Sequence, residues 1–270
     1  MRKVVILCAA VAGILATGCR SHSENVLEKK FPAIWADGFN LEAHRGLSDE
    51  MPENTMASFR AAASVGRPVY QGMESDVQMT ADSVLVMFHD SKVDRTTDGT
   101  GNVSSFTFEE LMKLDAGNGE KVPTLECYLD CCRQSGLIPY IELKSEDPEC
   151  VRRTFAALDS LGWKSGEYVI TSFHLDALVL AQNLCDAPLE YMNGKMTLED
   201  VDKAMSLVRH NLIIRPSAKK VTRELVEGCR VRGLMMEAYG LPVGDRELLD
   251  SLMFWGVKGV TCNSYKGLGR

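Results

Sequence analysis

The feature that most constrains this chain is an alternation. From about residue 40 onward, short β-rich runs alternate with amphipathic helical stretches, in units of 20–40 residues. Leu41–Arg45 reads as a first strand, followed by a helix over Glu53–Val65. Tyr70–Gln78 is a second strand, with Val84–His89 as its short extension. A helix over Leu125–Gln134 leads to Ile138–Lys144, and Glu149–Leu161 leads to Tyr168–Phe173. The same unit recurs in Leu175–Leu184 with Leu189–Met192, and in Leu198–Arg209 with Leu212–Arg215. Thr222–Arg232 with Leu234–Ala238, and Asp245–Trp255 with Val257–Thr261, complete the series. Strands separated by ten or more helical residues cannot be hairpin neighbours, so they form parallel βαβ units. Eight such units in about 230 residues predict an α/β fold of the (β/α)₈ TIM barrel type. No GxGxxG or GxxxxGK[ST] follows the first strand, which argues against a nucleotide-binding sheet. The irregular stretch 90–122, rich in Thr, Gly and Asp, is too long for an ordinary connection and is expected to be a small insertion after the second strand.

The first residues obey a different rule. Arg2 and Lys3 precede an apolar run, Val4–Leu15, too short to span a bilayer, and Ala16-Thr17-Gly18-Cys19 follows. A basic start, an apolar stretch and small residues before a cut site make a secretory signal. Its end resembles the lipobox of bacterial lipoproteins. That resemblance makes 1–18 a signal peptide, Cys19 the lipidated first mature residue and 19–38 a tether and N-terminal segment, with the barrel over 39–270. It also implies a chain anchored to a membrane of the bacterial cell envelope, on the periplasmic or outer-surface side. A net charge of −7 with no dominant basic patch argues against a nucleic-acid partner. Seven cysteines follow Cys19, an odd number without paired CxxC spacing, so no zinc site or particular disulfide is expected. Cys127 and Cys131, four apart, fit the buried stripe of a helix.

In a barrel of this kind the active residues sit at the C-terminal ends of the strands. There the first strand ends in His44-Arg45-Gly46, and the second carries Glu74 and Asp76, two apart and so on one face. Its extension ends in His89-Asp90, and the next strand carries Glu142 and Lys144. Glu74, Asp76 and Glu142 are three hard oxygen donors, suited to Mg²⁺ or Ca²⁺. The alternative is a structural ion network in which they pair with Lys144 and Arg45. His44 and His89 fit a general acid/base pair, although a single strand-end histidine is often structural. Arg45 and Lys144 suit the oxygens of a bound phosphate. A divalent metal, two histidines and two cations point to a phosphorus-centred or similarly anionic substrate, and they are the usual equipment for phosphodiester cleavage.

At these positions the chain resembles the glycerophosphodiester phosphodiesterase family. The shared text runs through His44-Arg45-Gly46, Pro52-Glu53-Asn54-Thr55, Glu74-x-Asp76, His89-Asp90, Arg95-Thr96-Thr97-x-Gly99-x-Gly101, Pro123-Thr124-Leu125, Ile141-Glu142-Leu143-Lys144 and Ser172-Phe173. The resemblance spans roughly residues 41–265. It implies the barrel, metal ligation by Glu74, Asp76 and Glu142, and His44 with His89 as acid and base. It further implies that Arg45 binds phosphate, Lys144 supports the cluster, and the substrate's 2-hydroxyl attacks phosphorus. The products are then glycerol 3-phosphate and an alcohol. Two strand ends depart from the family's usual text: Met236-Glu237-Ala238-Tyr239-Gly240 on the seventh, and Thr261-Cys262-Asn263-Ser264 on the eighth. Glu237 is either a polar contact in the substrate pocket or a solvent-facing loop residue. Two other functions compete, a lyase that stops at a cyclic phosphate and a non-catalytic lipoprotein that binds phosphorylated ligands.

Overall fold

A computed structural model describes residues 26–145 and 147–269. The signal-peptide and Cys19 expectations lie outside those residues. Eight parallel strand positions close a barrel: β1 (Asn40–His44), β2 (Gly72–Met79), β4 (Ile138–Leu143), β5 (Val169–Ser172), β6 (Leu189–Asn193), β7 (Leu212–Pro216), the pair β8 (Met235–Met236) and β9 (Ala238–Leu241), and β10 (Gly259–Cys262). β3 (Leu85–Met87) forms an antiparallel hairpin with β2, pairing Val77 with Met87. The parallel order runs β8-β7-β6-β5-β4-β2-β1-β10-β9. Glu237 separates β8 from β9, and that split is a finding rather than an opening. The Glu237 amide donates to Ile214 O (3.1 Å) and the Lys258 amide to Met236 O (2.8 Å), so the seventh position is bonded on both sides.

The helices form where capping and apolar spacing agree. In α4 (Leu125–Ser135) the Thr124 hydroxyl accepts from the Cys127 amide, Gly136 ends the helix in the left-handed region, and Leu125, Tyr128, Leu129, Cys131 and Cys132 face the sheet. Cys127 is exposed, so the cysteine stripe expected at 127 and 131 is instead Cys131 with Cys132. None of the seven cysteines among the described residues is in a disulfide. The helix expected from Glu53 starts three residues later, as α2 (Met56–Val65). Thr55 and Ser58 form a reciprocal capping box there, and Pro52–Thr55 is released to build the mouth.

Residues 90–122 form a small lobe of two 3₁₀ turns, Val93–Arg95 and Val103–Ser105, and the short helix α3 (Phe108–Leu111). It has its own core of Val86, Phe88, Val93, Val103, Leu111, Ala116 and Val122. The barrel domain also begins earlier than residue 39. α1 (Val26–Lys30) and the turns after it lay Leu27, Phe31, Ile34 and Trp35 across the N-terminal end of the barrel, against Ile138, Val169, Ile213 and Met235. From Val26 onward the N-terminal segment is a packed plug.

Candidate active site

The mouth is built on one sharp turn. Arg45 and Gly46 both adopt left-handed backbone, at φ 56° and 78°. A β-carbon at Gly46 would sit 2.6 Å from the carbonyl carbon of Ser58, so only glycine fits this position. The turn aims the Arg45 amide at Glu74, to whose Oε2 it donates (3.1 Å). Asn54, also left-handed at φ 54°, donates from Nδ2 to Asp76 Oδ2 (2.8 Å), and its own Oδ1 accepts from the Ser75 hydroxyl (2.7 Å).

Parallel register sets Glu74 beside Tyr140 and Asp76 beside Glu142. Oxygens of Glu74, Asp76 and Glu142 all lie within 4.8 Å of one another, in buried side chains. Glu74 Oε1 and Asp76 Oδ1 are buried and accept no hydrogen bond. Burial and the charges of Asp76 and Glu142 push the Glu74 carboxyl well above its ordinary range, with Arg45 opposing. Burial and Asp76 raise Glu142 to about 8, although Lys144 opposes them. Burial would raise Asp76 too, but Arg45 and Lys144 outweigh it and hold that carboxyl low. Three carboxylates so placed repel one another and leave acceptor oxygens without donors. These hard donors with vacant lone pairs fit a divalent cation. The ion-network alternative covers only part of the charge. Lys144 Nζ lies 2.7 Å from Glu142 Oε1 and 3.7 Å from Asp76 Oδ1, and Arg45 Nε 3.5 Å from Asp76 Oδ2.

The two histidines are each fixed through Nδ1. His44 Nδ1 lies 2.6 Å from Asn263 Oδ1, and its Nε2 is 3.9 Å from Glu74 Oε2. Burial and the charge of Arg45 lower His44 to about 4, against the hydrogen bond its Nδ1 donates to Asn263, so its imidazole is neutral at pH 7. His89 Nδ1 lies 2.6 Å from Asp90 Oδ1. Arg95 clamps Asp90 through Nε (2.6 Å) and a second nitrogen (3.0 Å), and grips Glu53 at 2.7 and 2.9 Å. Glu53 also takes 2.8 Å from Arg45. The hairpin end that carries His89 is held by Gln78 Nε2, which donates to Phe88 O (2.8 Å) and Asp90 O (2.5 Å). Through Asp90, Arg95 and Glu53 the His89 ring is tied to Arg45, beside the carboxylate triad. Phe173 and Tyr239 meet edge to face, with centroids 5.4 Å apart, and Lys144 Nζ lies 5.8 Å from the Phe173 ring.

His44, Arg45, Glu74, Asp76, His89, Glu142 and Lys144 therefore gather at one mouth. Asn263, Asp90, Glu53, Asn54 and Arg95 were not assigned roles, although four of them lie inside matched motifs. Asn263 sits at the departing end of the eighth strand and is the partner of His44.

Glu237 is neither a pocket contact nor a loop residue. It is fully buried inside the barrel with Glu42 and Glu190, around the guanidinium of Arg215. Arg215 donates to Glu190 (2.5 Å) and Glu237 (3.1 Å) and pairs with Glu42, and the indole of Trp35 donates to Glu237 Oε1 (2.6 Å). A lone charge at this depth costs several kcal/mol, which is why the four residues occur together.

The Glycerophosphoryl diester phosphodiesterase family matches residues 44–265. A glycerophosphodiester phosphodiesterase of Caldanaerobacter subterraneus is 33% identical over 232 residues, covering 81% of this chain and 91% of that protein. One from Bacillus subtilis is 32% identical over 246 residues, covering 82% of each. Among solved structures, an Oleispira antarctica phosphodiesterase in complex with the product sn-glycerol-3-phosphate superposes with a TM-score of 0.78 at 25% identity. That match covers 87% of this chain and 97% of the other. With barrel, insertion and mouth in place, the chain belongs to the glycerophosphodiester phosphodiesterase family and is a phosphoric diester hydrolase.

Proposed function

We propose that the chain hydrolyses glycerophosphodiesters to glycerol 3-phosphate and an alcohol, using a divalent cation and the pair His44/His89. The observation that carries this reading is the buried triad Glu74, Asp76 and Glu142, with two carboxylate oxygens lacking donors, in a chain of this family. Held by these three residues, Mg²⁺ or Ca²⁺ supplies Lewis-acid stabilisation to the phosphoryl oxygens. Arg45 and Lys144, beside the triad, bind the phosphate, with Arg45 presenting a planar fork. Neutral His44, oriented by Asn263, takes the proton of the substrate's 2-hydroxyl as that oxygen attacks phosphorus. His89, oriented by Asp90, gives a proton to the departing alcohol. Water then opens the cyclic phosphate with the two roles reversed. An internal nucleophile needs no nucleophilic side chain and removes the entropic cost of bringing a second molecule to phosphorus. The solved relative from Oleispira antarctica, in complex with sn-glycerol-3-phosphate, supports the product.

The same proposal takes residues 1–18 as a signal peptide and Cys19 as the lipidated residue, anchoring the enzyme in a bacterial envelope. The apolar run Val4–Leu15 before Ala16-Thr17-Gly18-Cys19 supports it.

A panel of glycerophosphodiesters assayed with Mg²⁺ and Ca²⁺ in turn, followed by phosphorus NMR, tests the catalytic reading. Glycerol 3-phosphate is the expected end product. Accumulation of cyclic phosphate alone would assign the chain to the lyase alternative.

A further inference from the structure

The face opposite the mouth is unusual. In a (β/α)₈ barrel the helices run back against the strands, so helix C-termini and the loops after them gather at the strands' N-terminal end. Apart from Met51, Met112, Phe173 and Val243 on the mouth side, every exposed large apolar side chain among the described residues belongs to this end. The most exposed are Val26 (74%), Val231 (73%) and Phe254 (78%). Val231 is the last residue of α8 (Arg223–Val231), and Phe254 the penultimate residue of α9 (Arg246–Trp255).

All three tryptophans of the chain are here as well. Trp35 lies in the plug, Trp163 follows α5 (Pro148–Ser160), and Trp255 ends α9, the last two half-buried. The guanidinium of Arg133 sits 4.6 Å over the Trp163 ring. At this end exposed Lys29, Arg133, Lys164 and Arg209 stand beside exposed Asp159 and Glu167, while Lys30, Arg67 and Arg230 pair with Asp186, Asp37 and Glu227; Asp49, Glu50, Asp94, Asp98, Glu109 and Glu110 crowd the mouth side. Trp35 is buried, its indole bonded to Glu237, so the exposed apolar groups, the half-buried Trp163 and Trp255, and the basic residues carry the composition of a surface that lies on a bilayer.

The chain also enters at this end. Lys30 Nζ donates to Asp186 (2.8 Å) and Asn211 (3.0 Å), in the loops before β6 and β7, and Lys258, before β10, donates to Glu28 (2.6 Å). Six residues, 20–25, separate Cys19 from Val26, and the seven steps between them reach at most about 25 Å.

We propose that this N-terminal face of the barrel seats on the surface of an anionic phospholipid bilayer, with the catalytic mouth turned away from it. The inference rests on the lipid-anchor reading for the direction of attachment, and on side chains of the face for the seating. No helix among the described residues is long and apolar enough to cross a membrane, so the contact is superficial. The mouth then meets diesters arriving from the aqueous side.

The full chain, mixed with phosphatidylglycerol vesicles whose acyl chains are brominated, tests this through tryptophan emission, with co-sedimentation and hydrolysis of a soluble diester measured on the same sample. Quenching is expected. Val231→Asp with Phe254→Asp should abolish it and weaken partitioning of a Cys19→Ser chain by about tenfold or more, since two exposed apolar anchors are lost. Hydrolysis should be unchanged. Vesicle-bound chain with unquenched emission, or quenching untouched by the double variant, would overturn the seating. So would a double variant that changes only the oligomeric state, which would make the face an interface between copies. Absence of an acyl mass on Cys19 would sink the anchor reading alone, and absence of hydrolysis the phosphodiesterase reading alone.

Discussion

Replacing Asn263 with aspartate should move the acid limb of the pH–rate profile upward by about one unit. His44 Nδ1 faces Asn263 Oδ1 at 2.6 Å, a neutral hydrogen bond that only partly offsets the lowering of His44 to about 4 by burial and Arg45. A carboxylate in the same place makes the bond charge-assisted and favours the imidazolium. Neutral hydrogen bonds contribute about 1 kcal/mol and charged ones about 1.5–3, so the protonated form gains roughly 1–2 kcal/mol, or about one pKa unit. A base with a higher pKa is lost at higher pH, so kcat/KM falls earlier on acidification. The assay is kcat/KM for one glycerophosphodiester across the acid range at saturating metal, which keeps protonation of the carboxylate triad from mimicking the shift. Asn263→Ala serves as the control, since it removes the acceptor and should lower kcat by about 10–100-fold, as the loss of an orienting partner does. An acid limb that stays in place in Asn263→Asp, with activity retained, would refute the role of His44 as base.

Three further outcomes follow from the same geometry. Burial would raise Glu53, but hydrogen bonds from Arg95 and the charge of Arg45 win and lower it to about 2. Its stabilisation is therefore complete above the ordinary value near 4.5 and is lost as pH falls through about 2. Glu53→Gln should remove about 2 kcal/mol at pH 7 and flatten the acid-unfolding curve in that window, and an unchanged curve would contradict the clamp. Arg215→Met leaves Glu42, Glu190 and Glu237 without their cation in the barrel core, so urea unfolding should show a loss of about 3–5 kcal/mol, and a loss under 1 would refute the cluster's role. Because Glu142 sits near 8 without a cation, metal affinity measured by calorimetry should rise with pH up to about 8 and binding should release protons; a pH-independent affinity would contradict the ligand assignment.

Much of the mouth was legible because charged residues at alternate positions of apolar strands point the same way. Glu74 with Asp76, and Glu142 at the end of the next strand, stand out on that rule alone. The supporting residues were not legible, since their partners are distant in sequence. Asn54 reaches Asp76 only because the chain adopts a left-handed turn there, and Arg95 joins Glu53 across 42 residues. Glu42 was equally visible, two residues before His44, yet its partners Glu190, Arg215 and Glu237 lie on the far wall of the barrel. Nothing in local spacing pairs them. The plug at Leu27–Trp35 was hidden by its polar flank, because only tertiary packing shows which apolar residues of a short segment are covered.

The central claim is that Glu74, Asp76 and Glu142 hold one divalent cation on which diester hydrolysis depends. Metal content per chain by equilibrium dialysis, with release of glycerol 3-phosphate from the same samples, tests it directly for the native chain and Glu74→Gln. The native chain should bind one equivalent and release product only when loaded, and Glu74→Gln should lose both. Product release undiminished in EDTA, or by Glu74→Gln without bound metal, would contradict the account.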